Sequence, residues 1–150
     1  SAASGIEAMP LEECHALLVE QRLGILCTVD GDAPYAVPMF YGFDAETGTM
    51  VLGISEGHKT RVLDENPQVQ IVVTEVGAGD AWRSVVVTGR AAWVTEPVER
   101  AEAVRVLMAH NRRPERQQPP ANGQPSPARR HGGGRIMRVD DAVVAGRAKR

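Results

Sequence analysis

Apolar residues recur along this chain with two periods, and the switches between them mark its elements. Leu11, Cys14, Leu17 and Leu18 fall at helical spacing behind Pro10, which a first helical turn tolerates, while Glu12 and Glu13 suit the positive end of that helix and Gly24 closes the segment. Short alternating or continuous apolar runs then predict strands over residues 25–29, 34–41, 49–54 and 69–74. A longer strand is predicted over 82–94, with Gly89 as a bend. Asp30-Gly31-Asp32 is a hairpin turn and residues 44–48 form another turn. Helical spacing returns over 58–66, with Val62 and Leu63 inward and Pro67 as the stop. It returns again over 96–109, with Val98, Ala101, Val104, Leu107 and Met108 on the inward stripe. Residues 135–139 predict a short closing strand, and apolar character continues over 142–145 before Gly146 and a basic tail.

Strands joined mainly by hairpins, with only short helices, exclude a doubly wound sheet and predict a mainly-β small barrel or sandwich, because closure removes exposed strand edges. Pro38 interrupts the second strand. Lacking an amide hydrogen, it predicts an edge, a bulge or a cavity at that point, with Val37, Met39 and Tyr41 on the face opposite Pro38 and Phe40. The expected plan is a flexible arm at 1–9, a barrel domain at 10–110, a linker at 111–134, and a closing strand with a basic tail at 135–150. The linker expectation rests on prolines 114, 119, 120, 125 and 127 and on the triple glycine 132–134.

A chain of 150 residues suits one domain with a hydrophobic core. Its charge changes the picture more than its size does. Residues 1–110 carry 7 Lys/Arg against 16 Asp/Glu, giving −9, and residues 111–150 carry 10 against 3, giving +7. That asymmetry is suited to holding the tail against an acidic body or a neighbouring subunit. Arg112, Arg113 and Arg116, then Arg129, Arg130 and His131, form basic clusters without interleaved aromatic rings, so specific nucleic-acid reading is not indicated. No apolar run is long enough to cross a bilayer, and a soluble cytoplasmic protein is expected. Cys14 and Cys27 are expected as buried thiols. Histidines 15, 58, 110 and 131 lack metal-ligand spacing, and no serine has the Gly-x-Ser-x-Gly setting of a hydrolase nucleophile.

Candidate chemistry concentrates where the third strand runs into a glycine-bearing turn carrying Ser55, His58, Lys59 and Thr60. Residues 53–60 match the phosphate-loop pattern G-x-x-x-x-G-K-[ST] except that His58 stands at its last glycine. The first amides of the following helix and Lys59 would converge on one anion. The ordinary alternative is that Lys59 is a solvent-facing residue at a helix start. A flat conjugated ring is the kind of ligand that would lie against backbone near Val37, Pro38 and Met39.

Arg22-Leu23-Gly24, Pro34-Tyr35 with Val37-Pro38, Gly57-His58-Lys59, Asn66-Pro67 and Trp82-Arg83-Ser84-Val85-Val86 occur in that order. As an ordered set, running from about Pro10 to Met108, they resemble the split-barrel flavin-binding family of pyridoxamine 5'-phosphate oxidase-like proteins. The branch that includes nitroimidazole-resistance reductases is the most similar. The resemblance implies a split β-barrel with short peripheral helices, and a homodimer with FMN in a groove at the subunit interface. Lys59 looks like a ligand of the cofactor phosphate, with Ser55, His58 and Thr60 as neighbours. Val37, Pro38 and Met39 match the strand beside the isoalloxazine ring. Trp82, Arg83 and Ser84 match the start of the long strand that approaches the cofactor, the alternative being a core Trp82 and a surface Arg83. Where some relatives in the nitroimidazole branch place a histidine, this chain reads Leu52-Gly53-Ile54-Ser55.

The function implied is FMN-dependent oxidoreduction between reduced nicotinamide and a small acceptor. A deazaflavin (F420)-dependent reductase, a flavin- or haem-binding protein without turnover, and a catalytically empty dimer that recognises a partner through its linker remain alternatives.

Overall fold

Alternation dictates most of the architecture. In the strand Leu23–Asp30 the even positions Leu26 and Thr28 are buried while Leu23, Ile25 and Val29 face out, which is the period-two signature of a sheet packed on one side. The computed structural model describes residues 5–112 and 134–150. In chain order the elements are β1 (Ile6–Ala8), α1 (Leu11–Glu20), β2 (Leu23–Asp30), β3 (Ala33–Asp44), β4 (Thr49–Ile54), α2 (His58–Glu65), β5 (Gln68–Val76), β6 (Trp82–Trp93), α3 (Pro97–Asn111) and β7 (Arg135–Lys149).

The strands form a seven-stranded antiparallel sheet in the order β1-β7-β4-β3-β2-β5-β6, and β6 also pairs with β7, which closes β2 to β7 into a barrel. The fold is thus the expected mainly-β split barrel with peripheral helices. Its interior holds Leu17 and Leu18 of α1 together with Leu26, Tyr41, Ile71 and Met137. The Tyr41 hydroxyl lies 2.8 Å from the Leu18 carbonyl and 3.0 Å from that of Gln21, so it fastens the end of α1 over the barrel. Helix α3 covers the outside of β4 and β7 above a second cluster of Val51, Val94, Ala103, Leu107 and Ile136.

Two expectations are corrected. Residues 1–9 were expected to form a loose arm, but Ile6–Ala8 pairs with β7, Met9 is buried, and its amide donates to the Gly146 carbonyl at 2.9 Å. The closing strand, expected to end at residue 139, runs on to Lys149. Asp140, Asp141 and Gly146 resemble breakers in sequence. In space Asp141 takes a positive φ of 54° just beyond Asp140, the residue opposite which the β6–β7 register shifts, between Thr88 and Arg90. Gly89, the expected bend, sits at that shift, and a Cβ there would lie 2.5 Å from the Asp140 carbonyl oxygen. Cys14 is buried, whereas Cys27 is only half-buried, on the outward face of β2. The linker expectation falls mainly on residues 113–133, outside the described residues. The charge asymmetry is realised as contact: Arg150 pairs with Glu7 and Glu13, and Lys149 with Asp80.

Gly42 of β3 lets α3 come close to the barrel, since a Cβ there would lie 2.6 Å from Leu107 Cα. Gly42→Ala is expected to push α3 outward and to cost about 1–3 kcal/mol in urea unfolding. Unchanged stability would show that α3 is not seated on this glycine.

Candidate functional site

The site begins where two strands part. β3 and β4 pair from Asp44↔Thr49 to Tyr41↔Leu52 and no further. Beyond that point Gly53 and Ile54 pair with Ile136 and Arg135 of β7, and residues 33–40 of β3 pair, among the described residues, on one side only, with β2. Continuing the lost register would set Phe40 against Gly53 and Pro38 against Ser55, so the gap lies between these segments. The Tyr41 amide donates to the Arg22 carbonyl at 3.0 Å. By the alternation of an antiparallel ladder, the backbone groups of Tyr35, Val37 and Met39 therefore turn toward β2, and those of Ala36, Pro38 and Phe40 toward the gap. Pro38 thus lies on the free edge, where its missing amide hydrogen costs nothing. The side chains of Val37 and Met39 pack against the core, which leaves the backbone and Pro38 as the surface offered here.

The other wall is the turn into α2. Gly57, at φ 147°, is the N-cap residue and occupies backbone space that favours glycine. Thr60 is buried, and its hydroxyl accepts from the Gly57 amide at 3.0 Å and lies 2.8 Å from the Gly57 carbonyl. Its role is to hold the turn. His58 lies 2.9 Å from Asp30 Oδ2 and meets the Tyr35 ring edge-on at 5.4 Å, which fastens α2 to the β2–β3 hairpin. Ser55 is exposed. Lys59 is half-buried and has no ion-pair partner among the described residues. Val37, Pro38 and Met39 therefore stand on one side of the gap and Ser55, His58, Lys59 and Thr60 on the other.

Trp82, Arg83 and Ser84 are not brought to this gap within one chain. Arg83 pairs with Glu75, at the end of β5 away from α2. Its guanidinium meets Glu75 at 2.8 Å, Glu20 at 3.1 Å and Glu13 at 3.7 Å. The hydrogen bond to Glu75, helped by that to Glu20 and opposed by burial, pushes its pKa above the ordinary arginine value. Trp82 and Ser84 instead line an open groove of about 790 Å³ on the outer face, together with Ile6, Ala8, Ala145 and Arg147. That face is apolar across five strands: Pro38, Ile25, Val72, Val86 and Ala145 form one register row, and Leu23, Val29 and Val143 beside it are exposed.

A model described as pyridoxamine 5'-phosphate oxidase matches residues 10–148, and the chain belongs to that family of split-barrel flavin-binding proteins. Among solved structures, an FAD-binding protein from Mesorhizobium loti superposes with a TM-score of 0.71 at 26% identity, covering 95% of this chain and 97% of that one. A protein assigned to 5-nitroimidazole antibiotic resistance in Bacteroides thetaiotaomicron shares the fold, with a TM-score of 0.70 at 17% identity over 95% of this chain and 87% of that one. An uncharacterised protein of Rhizobium meliloti is 34% identical over 86 residues, which span 57% of this chain and 55% of that relative. Among the described residues no helix is long and apolar enough to cross a membrane, and no cluster of His, Cys, Asp or Glu is placed to hold a metal ion.

Sequence reasoning missed Asp30 and Tyr35 as partners of His58, and the place of Arg147 in the outer groove. Asp30 stands next to a glycine and reads as turn chemistry, so nothing local separates its two roles.

Thr60→Val keeps the shape of the side chain and removes the acceptor for the Gly57 amide. It is expected to cost about 1–3 kcal/mol in stability. Unaltered unfolding would show that the hydroxyl does not hold the turn.

Proposed function

We propose that the chain is an FMN-dependent oxidoreductase that works as a homodimer, with the flavin seated along the β3 edge and its phosphate at Lys59. The observation that carries this reading is a half-buried lysine without an ion-pair partner among the described residues, at the end of an unpaired strand edge, in a chain of a flavin-binding family. A phosphate needs a cation and free donors, and a flat ring needs backbone groups free of a sheet ladder. When bound, the flavin supplies the electron or hydride chemistry. The chain binds and orients it, Lys59 with the exposed Ser55 and the first amides of α2 at the phosphate, and Val37 to Met39 through backbone at the ring.

Along the free edge Pro34, Ala36, Pro38 and Phe40 carry no acid or base, so no side chain there is suited to protonating a substrate. Transfer between reduced nicotinamide and a small acceptor fits that surface better than chemistry needing a positioned acid. The Mesorhizobium loti relative is an FAD-binding protein, which favours FAD as the second ligand to compare, the mononucleotide unit being common to both.

A second copy is the partner that the apolar outer face suits. In a two-fold pairing the same face meets itself, and an axis crossing the middle of the row would turn the end bearing Trp82 and Ser84 toward the other end of its partner. That arrangement is how Trp82 and Ser84 would approach a flavin seated on the partner's β3 edge.

Protein purified without added cofactor is expected to be yellow, with an oxidised-flavin spectrum bleached by reductant. Titration with FMN, FAD, deazaflavin F420 and haem side by side then ranks the ligands, and no FMN binding by the folded protein would sink the reading. Lys59→Ala is expected to weaken FMN about 10- to 100-fold, the effect of one charged hydrogen bond, and to leave riboflavin within about twofold. Equal loss for both ligands argues against a phosphate site at Lys59.

Ile25→Asp places a charge in the middle of the apolar row. Light scattering is expected to show a monomer that has lost flavin affinity. A dimer with intact binding would place the association face elsewhere.

A further inference from the structure

Helix α2 has only eight residues and no capping bond from an N-cap side chain, too little to hold a helix in water on its own. Its position is imposed from outside, and one side chain spans it. Arg135, the first residue of β7, places Nε 2.7 Å from Glu56 Oε1 and Nη1 3.2 Å from both carboxylate oxygens of Asp64. Glu56 lies just before the helix and Asp64 in its last turn. The same guanidinium stacks 4.9 Å from the centre of the Trp93 ring, whose indole N–H donates to Asp64 Oδ1 at 2.7 Å. Arg135 is also in register with Ile54, the last residue before the turn. The preceding residue, Gly134, packs so closely there that a Cβ would lie 2.5 Å from the Ile54 carbonyl oxygen.

We propose that Arg135 is the positioning residue of the anion-binding turn: by clasping Glu56 and Asp64 against Trp93 it fixes α2 on the end of β4, and so fixes where Lys59 is presented. This rests on the flavin reading above. The pairs are partly exposed, with side-chain exposures of 38% for Arg135, 53% for Glu56 and 47% for Asp64. Exposed ion pairs contribute little to global stability, so what the clasp supplies is orientation. It also neutralises two carboxylates beside a turn meant for a phosphate. A lysine cannot reproduce it, because only the planar guanidinium reaches two carboxylates while stacking on an indole.

The test compares Arg135→Gln and Arg135→Lys with the wild-type protein by FMN and riboflavin titration and by amide hydrogen exchange over residues 58–65 without ligand. Both variants are expected to lose FMN affinity roughly tenfold, the size usual when a group that orients a ligand-binding side chain is removed. Riboflavin affinity and the urea midpoint are expected to stay put, while exchange in α2 accelerates. FMN affinity fully restored by lysine would reduce Arg135 to a source of charge and overturn the positioning role, as would unchanged FMN affinity or unchanged exchange. A wild-type protein that binds neither flavin overturns the flavin reading instead, and the exchange rates of the same variants still decide whether the clasp holds α2.

Discussion

The parting of β3 from β4 at Tyr41 and Leu52 is the constraint from which the rest of the molecule follows. A sheet edge left open is ordinarily a hazard, because unpaired donors and acceptors invite a foreign strand. Here the edge is disarmed in two ways. Pro34 and Pro38 place their missing amide hydrogens on the open side, so a strand added there finds too few donors to form a ladder. Meanwhile β4 cannot follow β3, because Gly53 and Ile54 are engaged by β7. The gap is therefore a stable feature of the barrel, with backbone groups able to meet a ligand although they cannot sustain a strand.

β7 sets the far wall of that gap. One long strand pairs first with β4 and then with β6, and carries β1 at its end. Closing the barrel and placing the turn into α2 are consequently the same act. Arg135 stands where β7 meets the last residue of β4 and reaches across α2 from there. The acidic body and basic C-terminal segment then have a structural meaning. Cations of β7 and the terminal residue meet carboxylates on β1, α1, α2 and the loop before β6, so the chain's last strand is held to elements that formed from its first two thirds.

The parts of this architecture that were legible in sequence are those governed by local period and turn chemistry. Alternating apolar positions located β2 to β6, and Pro38 announced an edge because its lost hydrogen bond has to be accommodated wherever it falls. Gly57-His58-Lys59 was recognisable as a turn leading from a strand into a short helix. What escaped was non-local. Ile6–Ala8 is too short to show a period and is a strand only because β7 lies beside it. Asp140 and Asp141 look like an end to β7, but a bulge opposite Gly89 absorbs them. Thr60 and Arg83 are polar residues at promising positions, and nothing in their neighbours reveals that Thr60 is occupied by its own turn or that Arg83 is surrounded by three glutamates.

The spacing of the predicted site residues carries a further consequence. Lys59 and the β3 edge share one gap, whereas Trp82 and Ser84 lie far along the same outward face, and both groups resemble cofactor-facing positions of one family. The proposed isologous pairing through the row from Pro38 to Ala145 would bring them together without moving a strand, provided the two-fold axis crosses that row. Under that pairing, and with the flavin seated as proposed, the apolar row would exclude water from the ring, Lys59 would stay at the wetter rim where a phosphate is tolerated, and the edge of β3 between them would need no side-chain acid because the reacting group belongs to the flavin. Discrimination among acceptors would then come from the partner's groove around Trp82, while affinity for the cofactor would come from the turn that Arg135 holds.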